Sequence, residues 1–205
     1  MKLIMSLLVF ISLSVNAWGD THWFETLKHN GSDEDLYRTL YFMPKGGDLH
    51  NHNSGSVFSE EWYRIAVAQE DNGYVYYTKV RINNCRAYAD TIFPYFLLFR
   101  NIEKTEFDAL PECEKQEYAL LKDLNQEQKT AWMDSIRLDK AGEGRNEFFE
   151  THWQRLNALL ANPYLRAETL ASNAKELAKE GAVYLETQVG IRGARQADGT
   201  PISAH

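Results

Sequence analysis

Basic charge, cysteine and long apolar runs are the three things this sequence has little of. With 22 Lys and Arg against 29 Asp and Glu, the formal net charge is -7, so the chain lacks the basic face that phosphate backbones require. Nucleic acid is excluded as the expected partner, and a small neutral or cationic substrate fits better. Beyond residue 17 no stretch is apolar enough for the roughly 20 residues of a membrane span. No segment repeats and none is of low complexity, which excludes solenoids and disordered tracts. What remains is ordinary globular material: 44% apolar, 13% aromatic and 25% charged residues, enough for one domain, or one domain with a large insertion.

The first 17 residues read as a targeting segment rather than part of the fold. Met1 and Lys2 give a basic start, residues 3–15 are apolar apart from serines, and Val15-Asn16-Ala17 puts small residues at a cleavage site. The expected outcome is a signal peptide over residues 1–17 and a secreted or periplasmic protein; the alternative is a membrane anchor, for which the run is short. An oxidising compartment then bears on the two cysteines, Cys85 and Cys113, which lack C-x-x-C spacing. They are expected to form a disulfide worth about 3 to 4 kcal/mol by loop closure, the alternative being two buried thiols.

Along the chain, residues 18–42 form a helical leader, with Ser32 before Asp33, Glu34 and Asp35 as a helix start. Residues 43–72 hold a first strand and a helix capped by Ser59, carrying Trp62, Ile65 and Ala66 and stopping near Asn72-Gly73. Residues 73–143 read as an insertion: β-formers from Tyr74 to Ile82 predict one or two strands of a small sheet, and residues 125–140 predict one helix. Residues 144–205 return to regularity. Asn146 starts a helix with Phe149, Trp153, Leu156, Leu159 and Leu160 at helical spacing, ended by Asn162-Pro163. A second helix spans residues 165–180, and residues 182–189, "AVYLETQV", form an apolar strand. This order suits an α/β fold with a parallel sheet.

The chemistry concentrates in "MPKGGDLHNHNSGS", residues 43–56. Residues i and i+2 of a strand share a side, so His50 and His52 can offer two imidazoles to one metal while Asn51 faces away. Gly46, Gly47 and Gly55 allow close backbone approach. The spacing alone also suits two histidines in a polar loop, and two ligands fall short of the three usual at a catalytic zinc. His22 and His29 lie in the leader, His205 is the last residue, and His152 is expected on a helix surface.

"FMPKGGDLHNHNSGSV" resembles the start of the adenosine deaminase family, in particular its secreted branch, the adenosine deaminase-related growth factors. A signal peptide, a helical leader, an insertion with a disulfide and the helix "FFETHWQRLNALL" follow the order of that branch, and "GAVYLETQV" is similar to the family's second barrel strand. The resemblance implies the N-terminal portion of a (β/α)8 barrel metal-dependent hydrolase, with an N-terminal helical leader and an α+β insertion. It implies one Zn2+ with His50 and His52 as ligands, and conversion of adenosine to inosine and ammonia by zinc-activated hydroxide. It further implies a purine nucleoside as substrate, contacted by Asn53, Phe149 and Trp153, and leaves room for a homodimer through leader and insertion. Core packing is the competing reading of Phe149 and Trp153. Asn53 stands where the secreted branch has an aspartate, and Ser54 where the intracellular deaminases have one.

A complete barrel takes about 250 residues, and only two barrel strands are expected here, at 48–50 and 182–189. The family's third zinc histidine, general acid and metal-site aspartates come from later strands, so no catalytic residue beyond the histidine pair is expected in this chain, and the chain alone is expected not to turn over adenosine. Two other readings stay open: a secreted, non-catalytic binding or growth-factor-like module, and another amidohydrolase with H-x-H on its first strand.

Overall fold

The computed structural model describes residues 22–87, 95–190 and 193–203. The signal peptide expected over residues 1–17 lies outside them. Among the described residues no helix is long and apolar enough to cross a membrane. The chain divides into two compact units, Met1–Pro44 and Lys45–His205.

The first unit holds α1 (His22–Asn30) and α2 (Asp33–Phe42). Gly31 turns the chain between them at a point where a Cβ would sit 2.5 Å from the Leu27 carbonyl oxygen, so no other residue fits without a shift. Ser32 starts α2 as the sequence predicts. Its Oγ accepts from the Asp35 amide at 3.1 Å, and three acids occupy the first turn, where the helix dipole favours them.

The second unit is a mixed α/β fold with two small sheets. Strand β1 (Gly47–His52) leads through a short turn into α3 (Ser59–Ala68), which ends in a tight turn at Gly73, φ +86°. Ser59 does not cap α3. It is the first helical residue, with Phe58 at the cap position, because its hydroxyl binds the Glu60 carboxylate at 3.2 Å instead of a backbone amide. Next come β2 (Tyr76–Lys79), β3 (Asn101–Glu103), α4 (Lys104–Asp108), α5 (Glu112–Lys115) and β4 (Tyr118–Leu120). The three strands form an antiparallel sheet in the order β3-β2-β4, with Tyr77 opposite Ile102 on one side and Leu120 on the other. Cys85 and Cys113 are joined by a disulfide, Cα to Cα 5.8 Å, which ties the chain after β2 to α5.

Helix α6 (Gln126–Asp134) starts in a full capping box, the Asn125 and Gln128 side chains each accepting from the other's backbone amide. After it, α7 (Arg145–Glu147) begins at Gly144 rather than at Asn146, and runs through a π-helical turn, Phe148–His152, into α8 (Trp153–Leu160). Asn162 both ends this stretch and caps α9 (Pro163–Lys179), its Oδ1 accepting from the amides of Tyr164 and Leu165, with Pro163 in the first helical position, where its missing N–H costs nothing. Strand β5 (Tyr184–Gln188) returns parallel to β1, with Gly47 opposite Tyr184 and His52 opposite Gln188.

One core joins these parts. Trp62, Ile65 and Ala66 of α3 pack with Tyr76 of β2, Leu121, Trp132 of α6, Leu156 and Leu159 of α8, and Leu165 of α9. The segment read as an insertion therefore shares its apolar interior with the helices that flank it. The indole N–H of fully buried Trp132 donates to Asn101 Oδ1 at 2.9 Å, and Asn101 Nδ2 donates to the Arg155 carbonyl, so the polar atoms of Trp132 and Asn101 are paired where they enter this core.

Candidate metal site at the end of strand β1

Pro44-Lys45-Gly46-Gly47 launches β1. Gly46 has φ +69°, and a Cβ on Gly47 would meet the Tyr184 side chain at 3.0 Å, so glycine permits both the turn and the close docking of β5 on β1. The pairing of β1 with β5 is irregular between Asp48 and Asn51; past that irregularity Asn51 is buried, while His50 and His52 on either side of it in sequence are exposed. The Nε2 atoms of His50 and His52 lie 3.2 Å apart. A tetrahedral zinc with nitrogen ligands at about 2.0 to 2.1 Å sets neighbouring nitrogens about 3.3 Å apart, so the donor set and its spacing fit two corners of such an ion.

Asn51 holds the strand beneath the pair. Its Oδ1 accepts from Asn173 Nδ2 of α9 at 2.9 Å and from Thr187 Oγ1 of β5 at 3.1 Å, and its Nδ2 donates to Asp48 Oδ2 at 2.8 Å. Asp48 in turn accepts from the His50 amide at 3.2 Å. Four polar groups from β1, β5 and α9 thus fix the backbone that carries both imidazoles. Asn173 and Thr187 carry no sequence signal of this role, which depends on a helix and a strand more than 120 residues away.

Past His52, a single 3-10 turn at Asn53–Gly55 brings Asn53 into the interior at 3% exposure. Its Nδ2 donates to Thr169 Oγ1 at 3.1 Å, while its Oδ1 is buried with no partner. Asn53 and Ser54 line a cleft of about 400 Å³ together with Trp153, Thr169 and Gln188. The cleft opens where β1 and β5 end, and Gln188 is the residue opposite His52 in the sheet.

The structure therefore brings Asn53 and Trp153 to one cleft and leaves Phe149 out of it. Phe149 is half exposed, its ring against Phe148 and the Arg145 guanidinium, and it belongs neither to the cleft nor to the core. His152 corrects the surface reading: it is 3% exposed, because the π turn swings it inward, where it faces Glu143 and Glu147. Among the described residues, that trio is the single group of three or more His, Cys, Asp or Glu with ligand atoms close enough to hold an ion, so none of them adds a third ligand to His50 and His52. The chain matches no family model, no curated protein and no solved structure.

Proposed function

We propose that His50 and His52 are two protein ligands of a zinc ion in an adenosine deaminase-like hydrolase, and that the adjoining cleft takes a purine nucleoside. The observation that carries this reading is the 3.2 Å approach of the two Nε2 atoms at the carboxyl end of a parallel strand, beside a cleft walled by Asn53. Barrel hydrolases place their chemistry at that end of the strands, and β1 paired in parallel with β5 is compatible with the first two strands of a (β/α)8 barrel.

When bound, zinc supplies Lewis acidity and lowers the pKa of a water toward neutrality. This chain's residues contribute binding and orientation. His50 and His52 present neighbouring nitrogens from a strand fixed by Asn51. Asn53 and Ser54 give the cleft polar groups for a nucleoside hydroxyl, and Trp153 and Leu160 offer apolar surface to the base. A catalytic zinc takes three protein ligands, so a further one must come from outside the described residues. Export and pairing into homodimers belong to the same proposal.

Zinc titration of the 205-residue chain tests the first part: the His50→Ala/His52→Ala double variant is expected to bind one ion fewer, and equal stoichiometry would overturn it. Equilibrium dialysis of adenosine tests the second: saturable binding weakened by Trp153→Ala is expected, and absence of binding would overturn it, while loss of purine absorbance follows turnover. The chain with zinc is expected to show no turnover above the zinc-only rate, and enzyme-like turnover would remove the need for a further ligand.

A further inference from the structure

We propose that Glu143, Glu147 and His152 form a second site, separate from the His50–His52 pair, that binds a divalent transition-metal ion of the zinc or manganese class. In a regular α-helix, residues five apart lie about 140° apart around the axis, so Glu147 and His152 would face different ways. The π turn changes this. The Trp153 amide bonds to the Phe148 carbonyl across five residues, and the extra residue re-phases the helix so that both side chains point to one side. Glu143, in the loop before α7, completes the group from a separate stretch of chain, and ligand atoms of all three lie within 4.8 Å of one another.

The second observation is the state of the His152 ring. It is 3% exposed, and its Nδ1 has no hydrogen-bond partner. Its Nε2 is aimed at Glu147 Oε1 and Glu143 Oε1 at 3.6 and 3.8 Å, too far for hydrogen bonds. What calls for a ligand is Nε2 of a buried imidazole, held beyond hydrogen-bond distance of two carboxylate oxygens that face it, and a metal among them supplies that ligand, while Nδ1 points away from the group.

The carboxylates are oriented for the same task. Glu143 Oε2 accepts from the Asp139 and Lys140 amides at 2.9 and 3.0 Å, which leaves Oε1 facing His152. Thr151 Oγ1 donates to Glu147 Oε1 at 2.5 Å, fixing that side chain. Such supporting hydrogen bonds are what orient metal ligands. The competing cation, the Lys140 ammonium, is 4.0 Å from Glu143 Oε1 on a side chain 68% exposed, so an ion can displace it. Two oxygens and one imidazole nitrogen suit zinc, manganese or ferrous iron better than calcium or a thiolate-seeking ion. Occupancy would clamp the loop of residues 139–144 to the helix that carries Trp153 into the cleft.

The test uses the full chain carrying His50→Ala and His52→Ala, titrated by calorimetry with zinc and with manganese, each alone. One equivalent of at least one of these ions is expected to bind, with an affinity reduced at least tenfold by Glu147→Gln and abolished by His152→Gln. No binding in the double variant, or binding that Glu147→Gln leaves unchanged, would overturn the proposal. Glu147 is exposed enough that its substitution leaves the fold intact, so it decides the matter even if His152→Gln unfolds. The ion lost on replacing His50 and His52 reports on the other site, so the two can fail separately.

Discussion

Lys79 and Glu117 meet Nζ to Oε2 at 2.5 Å with both side chains fully buried. The pair bridges β2 to the turn before β4, and both oxygens of its carboxylate have donors. Asn83 donates its amide to Glu117 Oε1 at 2.6 Å, Tyr95 donates its hydroxyl to Oε2 at 3.1 Å, and the Lys79 ammonium lies 3.8 Å from the centre of the Tyr95 ring. Burial works against the Glu117 charge, but the Lys79 ammonium and these two donors outweigh it and hold the carboxyl below its ordinary value of 4.5. Burial likewise pulls Lys79 below its ordinary value, against the attraction of Glu117.

Removing one partner strands the other. Glu117→Gln is expected to cost about 3 to 5 kcal/mol, because an ammonium stays buried without its counter-ion. The double variant Lys79→Met/Glu117→Gln is expected to cost less than the sum, and urea unfolding of the three variants measures the coupling. The pH dependence follows from the sign. A carboxyl whose pKa is lower in the folded state stabilises fully above its unfolded value and loses that contribution as pH falls below it. The natural chain is therefore expected to lose stability as pH drops below about 4.5, and Glu117→Gln to flatten that part of the curve.

The sequence made local signals plain and distant ones invisible. Ser32 before three acids, Gly73 after α3, Asn162-Pro163 and the exposed His50 and His52 with Asn51 between them all obey rules that need only neighbouring residues. Lys79 opposite Glu117 could not be read, since nothing in the pattern of a stretch with a sequence separation of 38 pairs its two ends. Nor could the π turn, because Phe149, Trp153 and Leu156 fit an unbroken α-helix on paper, and that fit is what put His152 on the surface. Asn146 failed as a cap for a simpler reason: the helix starts one residue after Gly144, leaving Asn146 inside it.

The Cys85–Cys113 disulfide closes a separation of 28 residues. In the chain-entropy account this is worth about 3 to 4 kcal/mol, and removal of such a bridge costs about 2 to 5. The Cys85→Ser/Cys113→Ser variant is expected to unfold at lower urea by that amount. Equal stability with and without reductant in the natural chain would show that the bridge contributes nothing.

Asn162 carries more than a helix cap. Besides holding the amides of Tyr164 and Leu165, its Nδ2 donates to the Tyr76 hydroxyl at 3.0 Å and to Gln69 Oε1 at 3.3 Å. Asn162→Ala thus removes a cap worth about 1 kcal/mol and also leaves the buried Tyr76 hydroxyl without its partner at about 1 to 3 kcal/mol, while Gln69 Oε1 keeps Asn72 Nδ2. The expected loss, about 2 to 4 kcal/mol, exceeds that of an ordinary cap. A loss near 1 kcal/mol in urea unfolding would mean that water replaces the lost contacts.

Asn51 separates the stability of the sheet from the arrangement of the imidazoles. It touches no metal ligand atom, yet it ties β1 to Asn173 on one side and Thr187 on the other. In Asn51→Leu the Asn173 amide loses its acceptor, Thr187 keeps only the backbone carbonyl of residue 51, and the link to Asp48 is gone, so the backbone between His50 and His52 loses its side-chain anchors. Supporting groups of this kind typically contribute 10- to 100-fold to metal affinity. Zinc binding at the pair is expected to weaken by that factor, roughly 1.4 to 2.7 kcal/mol. Asn51→Asp keeps the acceptor for Asn173 and Thr187 but sets a second carboxylate against Asp48 Oδ2, so most of the affinity is expected to be retained only in the paired swap Asp48→Asn/Asn51→Asp, which restores that donor. If Asn51→Leu lowers stability but leaves zinc affinity as it was, the two histidines are positioned by the strand alone.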